Sequence, residues 1–533
     1  MNTRIPILIL LFAAALAAQP NVSGIFNAGS WAPTGLTNSG IAQGSIFTLT
    51  GTGLGPEALQ QAQSYPLPTT QGLGGTTITV TVGGVTETCI MVYTSSAQVA
   101  ALLPSATPTG SGMLKLSYQG ASSSKSITVL AANFGTFTLN EAGSGPGVVT
   151  DTSYNPITMI NAAHPGQTLI LWGTGLGPIT GDETEPPQEV NLNTGVKVLV
   201  ENQQATVLYG GRSSSPGLDQ INFVVPSGIG GGCKTSIAVL VKGVTGNVTT
   251  TSIAPEGQTT CSETYGILTR ANLQKAMANG SLSVGFIQIS RIGDGNDDLL
   301  AGFGTFPLNS LIRSFGGTIL ASPGSCIAYE VSGELPLIND PIQATPLHTG
   351  TDLTITGPNG TKNVSEFSTG LYVSTLATQP STYLEPGSYT ASNGSGGSNV
   401  NSFTWNATLP AYVTPTNIPA SINPSEDLTL TWSGGSNYPL VSIFGISGVP
   451  VDLPTSSFVD FICTAEASAG TFTIPSAILN LVPSNGYGST TKKGVDIQIT
   501  GINSQIATAG GSPGVDAGIM TVYVSNGSVA TLE

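Results

Sequence analysis

Positive charge is scarce in this chain. Lys and Arg number 14 against 29 Asp and Glu, for a net charge of −15. Charged residues make up 8% of the 533 residues, where a soluble protein ordinarily carries about 25%. A nucleic-acid binder needs a basic face to neutralise phosphates, so that class of partner is excluded. Histidine is scarcer still. His164 and His348 are the only two, which leaves little material for a Ser-His-Asp site or a His-based zinc site. Both read as solvated imidazoles, His164 in the loop Ala163-His164-Pro165. The chain has no Glu/Lys/Leu heptads of a coiled coil. It also lacks a glycine-rich phosphate loop followed by Lys, so nucleotide chemistry has no support.

Long apolar runs are missing too. The N-terminal stretch from Ile5 to Leu16 is too short to cross a hydrocarbon core of about 30 Å. With Arg4 before it and Ala15-Leu16-Ala17 as a small-residue cleavage site, residues 1–18 read as a secretory signal. No Cys stands near that site to accept a lipid, and no later stretch spans a membrane. Ser525 to Glu533 shows neither a hydrophobic tail nor a basic stop. The expected location is secreted, either extracellular or held at the cell surface by contacts alone.

Glycine is the abundant residue. The chain holds 69 Gly and 35 Pro, above average shares of about 7% and 5%. At 39% hydrophobic, with β-branched runs throughout, it does not read as disordered. Length points to three or four domains at about 150 residues each. The composition describes a turn-rich, mainly β, multidomain protein.

Five cysteines in an exported chain allow two disulfides and leave one thiol over. Cys233 opens the apolar run Thr235 to Val241, and Cys261 lies beyond the run Val248 to Ala254. Folding at Gly243 to Gly246 carries Cys261 back towards Cys233, so that pair is expected first. Cys326 with Cys463 is the residual pairing. Cys89, within Thr88-Cys89-Ile90-Met91-Val92, reads as an inert buried thiol.

An internal repeat gives the strongest signal. Gly44-Ser-Ile-Phe-Thr-Leu49-Thr-Gly51-Thr-Gly-Leu-Gly-Pro56 recurs as Gly166-Gln-Thr-Leu-Ile-Leu171-Trp-Gly173-Thr-Gly-Leu-Gly-Pro178, an offset of 122 residues. Gln98 matches Gln220 and Pro104-Ser105 matches Pro226-Ser227 in the same register. Residues 21–132 and 133–260 are therefore expected to be homologous β domains. Short apolar strands alternate with turns, as in an antiparallel sandwich. Thr77 to Val82 has period two, with Gly83-Gly84 as its hairpin turn. The Gly-Thr-Gly-Leu-Gly-Pro segment reads as a strand ending in a sharp bend. Its glycines permit positive φ, its Leu plugs the core and its Pro stops pairing.

These residues carry a resemblance. Leu-Thr-Gly-Thr-Gly-Leu-Gly followed by Val82-Gly-Gly-Val85 resembles the immunoglobulin-like IPT/TIG fold. Phe26-Asn27-Ala28-Gly29-Ser30 through Leu54-Gly55-Pro56 to Gln98-Val99 is similar to an uncharacterised secreted repeat family of acidobacteria, over residues 21–262. Cys233 and Cys261 stand where that family tends to carry cysteines. The resemblance implies tandem immunoglobulin-like sandwiches and an extracellular setting, and transfers no catalytic residue.

After Cys261 the pattern changes. Thr269 caps an expected helix from Arg270 to Asn279, with Leu273, Ala276 and Met277 on one side and Gly280 as its stop. Strand-like Leu282 to Ile292 and Ser325 to Val331 complete a small α+β segment, 262–345. A small β domain is expected over 346–411 and a C-terminal sandwich over 412–533, with Trp432 facing inward. Gly394 to Ser398 reads as a surface loop.

Chemistry-bearing groups are few. Asp294, Asn296 and Asp298 place three oxygen ligands on alternate residues, a weak calcium pattern. The EF-hand pattern fails there, with Leu299 for the glycine and Thr305 for the bidentate Glu. No other cofactor is expected. Glu183 and Glu185 lie in an acidic loop that reads as solvated. Their separation in space, which would decide a glycosidase reading, is not written in the sequence. Trp31, Tyr65, Trp405 and Tyr438 lie near turns and serve either sugar stacking or the core. Gly510-Gly-Ser512-Pro-Gly514 matches the nucleophile elbow without its strand–turn–helix context, and is rejected. The reading is a non-catalytic binding or scaffold protein acting at the cell surface or on extracellular polymers, its partner a polysaccharide or surface protein. The rivals are a carbohydrate-active hydrolase and a passive envelope or matrix component.

Overall fold

The structure is a computed structural model. It describes residues 19–186, 190–192, 195–293, 295–314, 320–332, 344–350, 352–449, 457–483, 486, 493–507 and 514–533. The stretch 1–18 that reads as a secretory signal, Asp294 and Ser512 lie outside the described residues.

The first sandwich holds β1 (Asn21–Asn27), β2 (Ile41–Ala42), β3 (Ile46–Thr52), β4 (Gln60–Gln61) and β5 (Thr76–Val82). It continues with β6 (Val85–Thr88), β7 (Ile90–Thr94), β8 (Gln98–Leu102), β9 (Gly110–Tyr118) and β10 (Ala121–Leu130). One sheet runs β1-β3-β8-β7-β4 and the other β2-β10-β9-β5-β6. β2 pairs parallel to β10, while the other neighbours are antiparallel. This is the strand division of an immunoglobulin-like sandwich, in which the chain crosses between two sheets by Greek-key connections. The inward residues of β5 show why it forms. Ile78 and Val80 are fully buried and alternate with half-exposed threonines, as a one-face-buried strand requires.

The second sandwich repeats the division. Its strands are β11 (Gly135–Thr136), β12 (Gly145–Pro146), β13 (Val149–Asp151), β14 (Thr168–Thr174), β15 (Val196–Val200) and β16 (Gln203–Gln204). They continue with β17 (Thr206–Arg212), β18 (Asp219–Val224), β19 (Gly232–Val241), β20 (Val244–Thr245) and β21 (Thr249–Ile253). One sheet runs β11-β14-β18-β17 and the other β12-β21-β19-β15-β16. β14 starts and ends 122 residues after β3. Each sandwich closes on its own core, around Leu49 and Leu54 in one and Leu171 and Leu176 in the other.

Beyond them a helix spans Arg270–Asn279. Thr269 Oγ1 accepts from Asn272 N–H at its start, and Gly280 ends it at φ 71°. A left-handed terminal residue is why glycine stands there. Leu273 and Ala276 face the core, whereas Met277 is 47% exposed. Leu273 and Ala276 pack in one cluster with Leu268, Leu282, Val284 and Leu311, and the buried stripe is narrower than the expected three-residue side.

Strands from 262–345, 346–411 and 412–533 then join one 15-stranded sheet. Ser281–Ile292 pairs antiparallel with Asp297–Pro307 and parallel with Ala517–Leu532. The segment 262–345, read from sequence as a small α+β segment, therefore supplies central strands of this sheet. Parallel pairing across more than two hundred residues leaves no local trace in sequence. Strands Asp352–Gly357, Gly360–Ser368, Gly387–Ser392 and Thr404–Leu409 share a core with Asp297–Pro307 and Leu371–Ala377 that encloses Phe303, Tyr372, Tyr389 and Trp405. Strands at 440–449, 457–466 and 495–502 build a second core that also receives Leu36 and Ala238 from the two sandwiches.

Candidate functional site

Both disulfides are formed. Cys233–Cys261 closes 28 residues and Cys326–Cys463 closes 137, bridging directly paired strands Ser325–Ser332 and Ser457–Glu466. Cys89 is free and fully buried, and burial pushes its thiol far above the ordinary range. A thiol held neutral is a poor nucleophile.

Of the acidic stretch after Gly293, Asn296, Asp297 and Asp298 are among the described residues. Asn296 is exposed, and exposed Asp298 accepts from Thr375 Oγ1 at 2.7 Å. Asp297, between them, turns inward instead. Its carboxylate takes Arg291 Nε at 2.6 Å and Nη2 at 2.9 Å, and the backbone N–H groups of Tyr383 and Leu384. Among the described residues no three His, Cys, Asp or Glu side chains gather as metal ligands.

Neither histidine is a free solvated ring. His164 Nδ1 lies 3.1 Å from Ala254 O, and His348 Nδ1 lies 3.1 Å from Glu366 Oε2. Trp31, Trp405 and Tyr438 are buried to 9%, 6% and 6% exposure, which assigns them to cores; Tyr65 is 44% exposed. The aromatic that the sequence reading passed over is Phe367, 75% exposed. Its signal was its place two residues after Ser365 in the polar run Thr361 to Ser368.

The polar groups converge at the repeated bend of the second sandwich. Gly175 and Leu176 donate their N–H groups to Asp219 Oδ2 at 2.7 and 2.8 Å. Gly175 has φ 112°, a region L side chains rarely enter, and a Cβ there would lie 2.0 Å from Asn133 O. The glycine is thus needed for both shape and approach. Asp219 is fully buried against Arg212, whose Nη1 donates to it at 2.6 Å while Nη2 donates to Gly177 O at 3.0 Å. Burial raises the Asp219 carboxyl to about 6, and Arg212 opposes that rise. The bonds it accepts from the guanidinium and from two backbone N–H groups favour its ionised form. In the first sandwich the matching Leu54 N–H donates to the backbone carbonyl of Ser96. One bend thus has two acceptors, a carbonyl in the first copy and a carboxylate in the second.

This bend is docked onto the first sandwich. Thr174 Oγ1 accepts from Ile46 N–H at 2.8 Å, and Asn27 Nδ2 donates to Thr174 O at 3.4 Å. Ser105 Oγ accepts from Ile179 N–H at 2.9 Å and donates to Glu183 Oε1 at 2.6 Å, while Ser105 N–H reaches Glu183 Oε2 at 2.8 Å. Glu183, read as part of a solvated loop, is a clasp between sandwiches. Exposed Glu185 stands apart from it. A further link runs from the first sandwich to the C-terminal sheet. Asn38 Nδ2 donates to Glu330 Oε1 at 2.7 Å, and Glu330 Oε2 is sealed from solvent without a partner among the described residues. Burial raises the Glu330 carboxyl to about 7.

Such an arrangement fixes elements against one another. Asp219 and Asp297 each meet two backbone N–H groups and one guanidinium, and Glu183 meets the hydroxyl and N–H of Ser105. No described helix is long and apolar enough to cross a membrane.

The chain matches no protein-family model and no curated relative. Solved structures similar to it include the plexin A4 full extracellular region, at 11% identity and TM-score 0.15, with 89% of this chain and 31% of that one covered. A tetra-tandem repeat in the extending region of a large adhesion protein is 13% identical at TM-score 0.13, covering 96% and 100%. The S-layer protein rSbsC(31-844) is 10% identical at TM-score 0.18, covering 95% and 54%. This chain spans about a third of the plexin ectodomain. Likenesses this distant carry no argument about function, and the immunoglobulin-like fold is read from the strand order itself.

Proposed function

We propose that the protein is a secreted, non-catalytic binding or scaffold protein that acts at the cell surface or on extracellular polymers. The observation that carries this reading is the use made of its ionisable groups. Asp219 with Arg212, Asp297 with Arg291, and Glu183 with Ser105 are committed to holding elements together. Acid–base catalysis instead needs groups of matched pKa within reach of one reacting atom. Binding asks less, because rigid sandwiches present loops and faces without a poised residue. Two disulfides fit an oxidising compartment outside the cytosol. The secretory stretch and the resemblance to IPT/TIG and acidobacterial secreted repeats belong to the same reading.

Purified mature protein is expected to show no turnover on polysaccharide or ester substrates, and to be retained by an envelope or matrix polymer. Turnover that a single change such as Glu183→Gln abolished would overturn the proposal. Failure to be retained by any such polymer would favour a passive structural role.

A further inference from the structure

The sandwich closed by strands 352–409 has an unusual outer face. Asp352–Gly357 pairs with Gly360–Ser368 and with Gly387–Ser392, which pairs in turn with Thr404–Leu409. Leu353, Ile355, Tyr389, Ala391, Trp405 and Ala407 point inward and are buried. Side chains alternate along a strand, so their neighbours face solvent in register. One row across the four strands is Thr361, Thr356, Thr390 and Asn406. The next row is Asn363, Thr354, Ser392 and Thr404. Neither row contains a charge.

Within the rows the side chains already hold one another. Thr356 and Thr361 hydroxyls are 3.1 Å apart, Thr354 Oγ1 donates to Asn363 Oδ1 at 3.1 Å, and Thr390 Oγ1 donates to Asn406 Oδ1 at 3.0 Å. Beside them Ser365 Oγ donates to Asp352 Oδ1 at 2.8 Å. A hydroxyl has one donor and two acceptor sites, and an amide has four in all, so these pairs leave outward hydrogen-bonding capacity. They also fix rotamers beforehand, which lowers the ordering cost of binding. Strands stand about 4.8 Å apart, so the rows repeat at regular spacing. Beyond Ser365, at the irregularity between Glu366 and Ser368 where the strand passes to its pairing with Leu371–Ala377, Phe367 offers an apolar ring at 75% exposure beside the face.

We propose that this face binds a neutral polysaccharide. The inference rests on the binding reading above and narrows it to a ligand class and a surface. An uncharged polyhydroxyl polymer matches the rows in donors and acceptors, and it loses no ionic hydration on contact. Its repeat suits a periodic face, and sugar C–H groups pack on the Phe367 ring. A polyanion is disfavoured by the net charge of −15. A tight protein partner would call for Arg and aromatic anchors at the centre of the patch, where these rows have none.

The test is affinity electrophoresis of the full secreted chain in gels holding soluble β-glucan, xylan or starch, with polygalacturonate as the acidic probe. The expected result is retardation by at least one neutral polymer that survives raised salt, because no charge pair is involved. Phe367→Ala should weaken it about fivefold to tenfold. Thr356→Lys with Thr390→Lys should abolish it, while Thr81→Lys, at an exposed threonine pair of the first sandwich, should leave it unchanged. Melting curves confirm folding, and Phe367→Ala carries the test should the double variant misfold. No retardation by a neutral polymer, or retardation that none of the face variants alters, overturns the inference. Retardation by polygalacturonate alone also overturns it, yet leaves the general binding role standing. That role falls separately, on the turnover assay.

Discussion

At the scale of single residues, the account makes pH and packing tests. Glu330 has its carboxyl raised from 4.5 to about 7, and Asp460 from 3.8 to about 6, both by burial. A carboxyl whose folded pKa lies above its unfolded value favours the folded state in its protonated form. The stability it adds is full below the unfolded pKa and is lost as pH rises through the folded one. Melting temperature should therefore fall as pH climbs from about 5 to about 8, and Glu330→Gln should flatten that slope. An unchanged slope in the variant would remove Glu330 from the explanation. Arg212→Met strands the fully buried Asp219 carboxylate and should cost about 3–5 kcal/mol in urea unfolding. Cys89 should resist iodoacetamide until denaturant opens the first sandwich, since only the thiolate reacts. Sequence showed part of this. Cys89 lies in an apolar run, and its burial was legible. Asp219 and Asp297 were not, because a carboxylate that caps a glycine bend looks in sequence like one in water.

At the scale of elements, local signals were readable and distant pairings were not. The helix Arg270–Asn279 announced its two ends through Thr269 and Gly280, and Thr269→Ala should cost about 1 kcal/mol. Circular dichroism with denaturant gives that number, and no loss would mean the cap is idle. Cys233 and Cys261 were paired in the reading because one hairpin brings them together. Replacing both by Ser should cost roughly 3–4 kcal/mol on the chain-entropy view. In sequence Cys326 with Cys463 is only the residual pairing, because its strands meet through pairing across 137 residues. Aromatic residues divide the same way. Trp405 and Phe367 both sit near turns, but only alternation with buried neighbours tells one from the other. Thr361, Asn363 and Ser365 share a parity that a period-two reading exposes, whereas Phe367 sits at the irregularity between Glu366 and Ser368, which the pattern does not show.

At the scale of the whole molecule, the sandwiches and the long sheet are joined by more than their linkers. Leu36 leaves the first sandwich to enter the C-terminal core, and the bend at Gly173 to Pro178 is seated on Ile46 and Ser105. Leu36→Ala should cost about 2–5 kcal/mol despite its place in a loop. The central claim is that buried polar groups such as Asp219 and Arg212 serve as fastenings that hold the repeated bend in place. Hydrogen exchange of the Gly175 and Leu176 amides tests it most directly, because a glycine-rich loop exchanges fast unless its N–H groups are held. The account predicts protection approaching that of β14 in the native chain and its collapse in Arg212→Met. Exchange of these amides at loop rates in the native chain would contradict it.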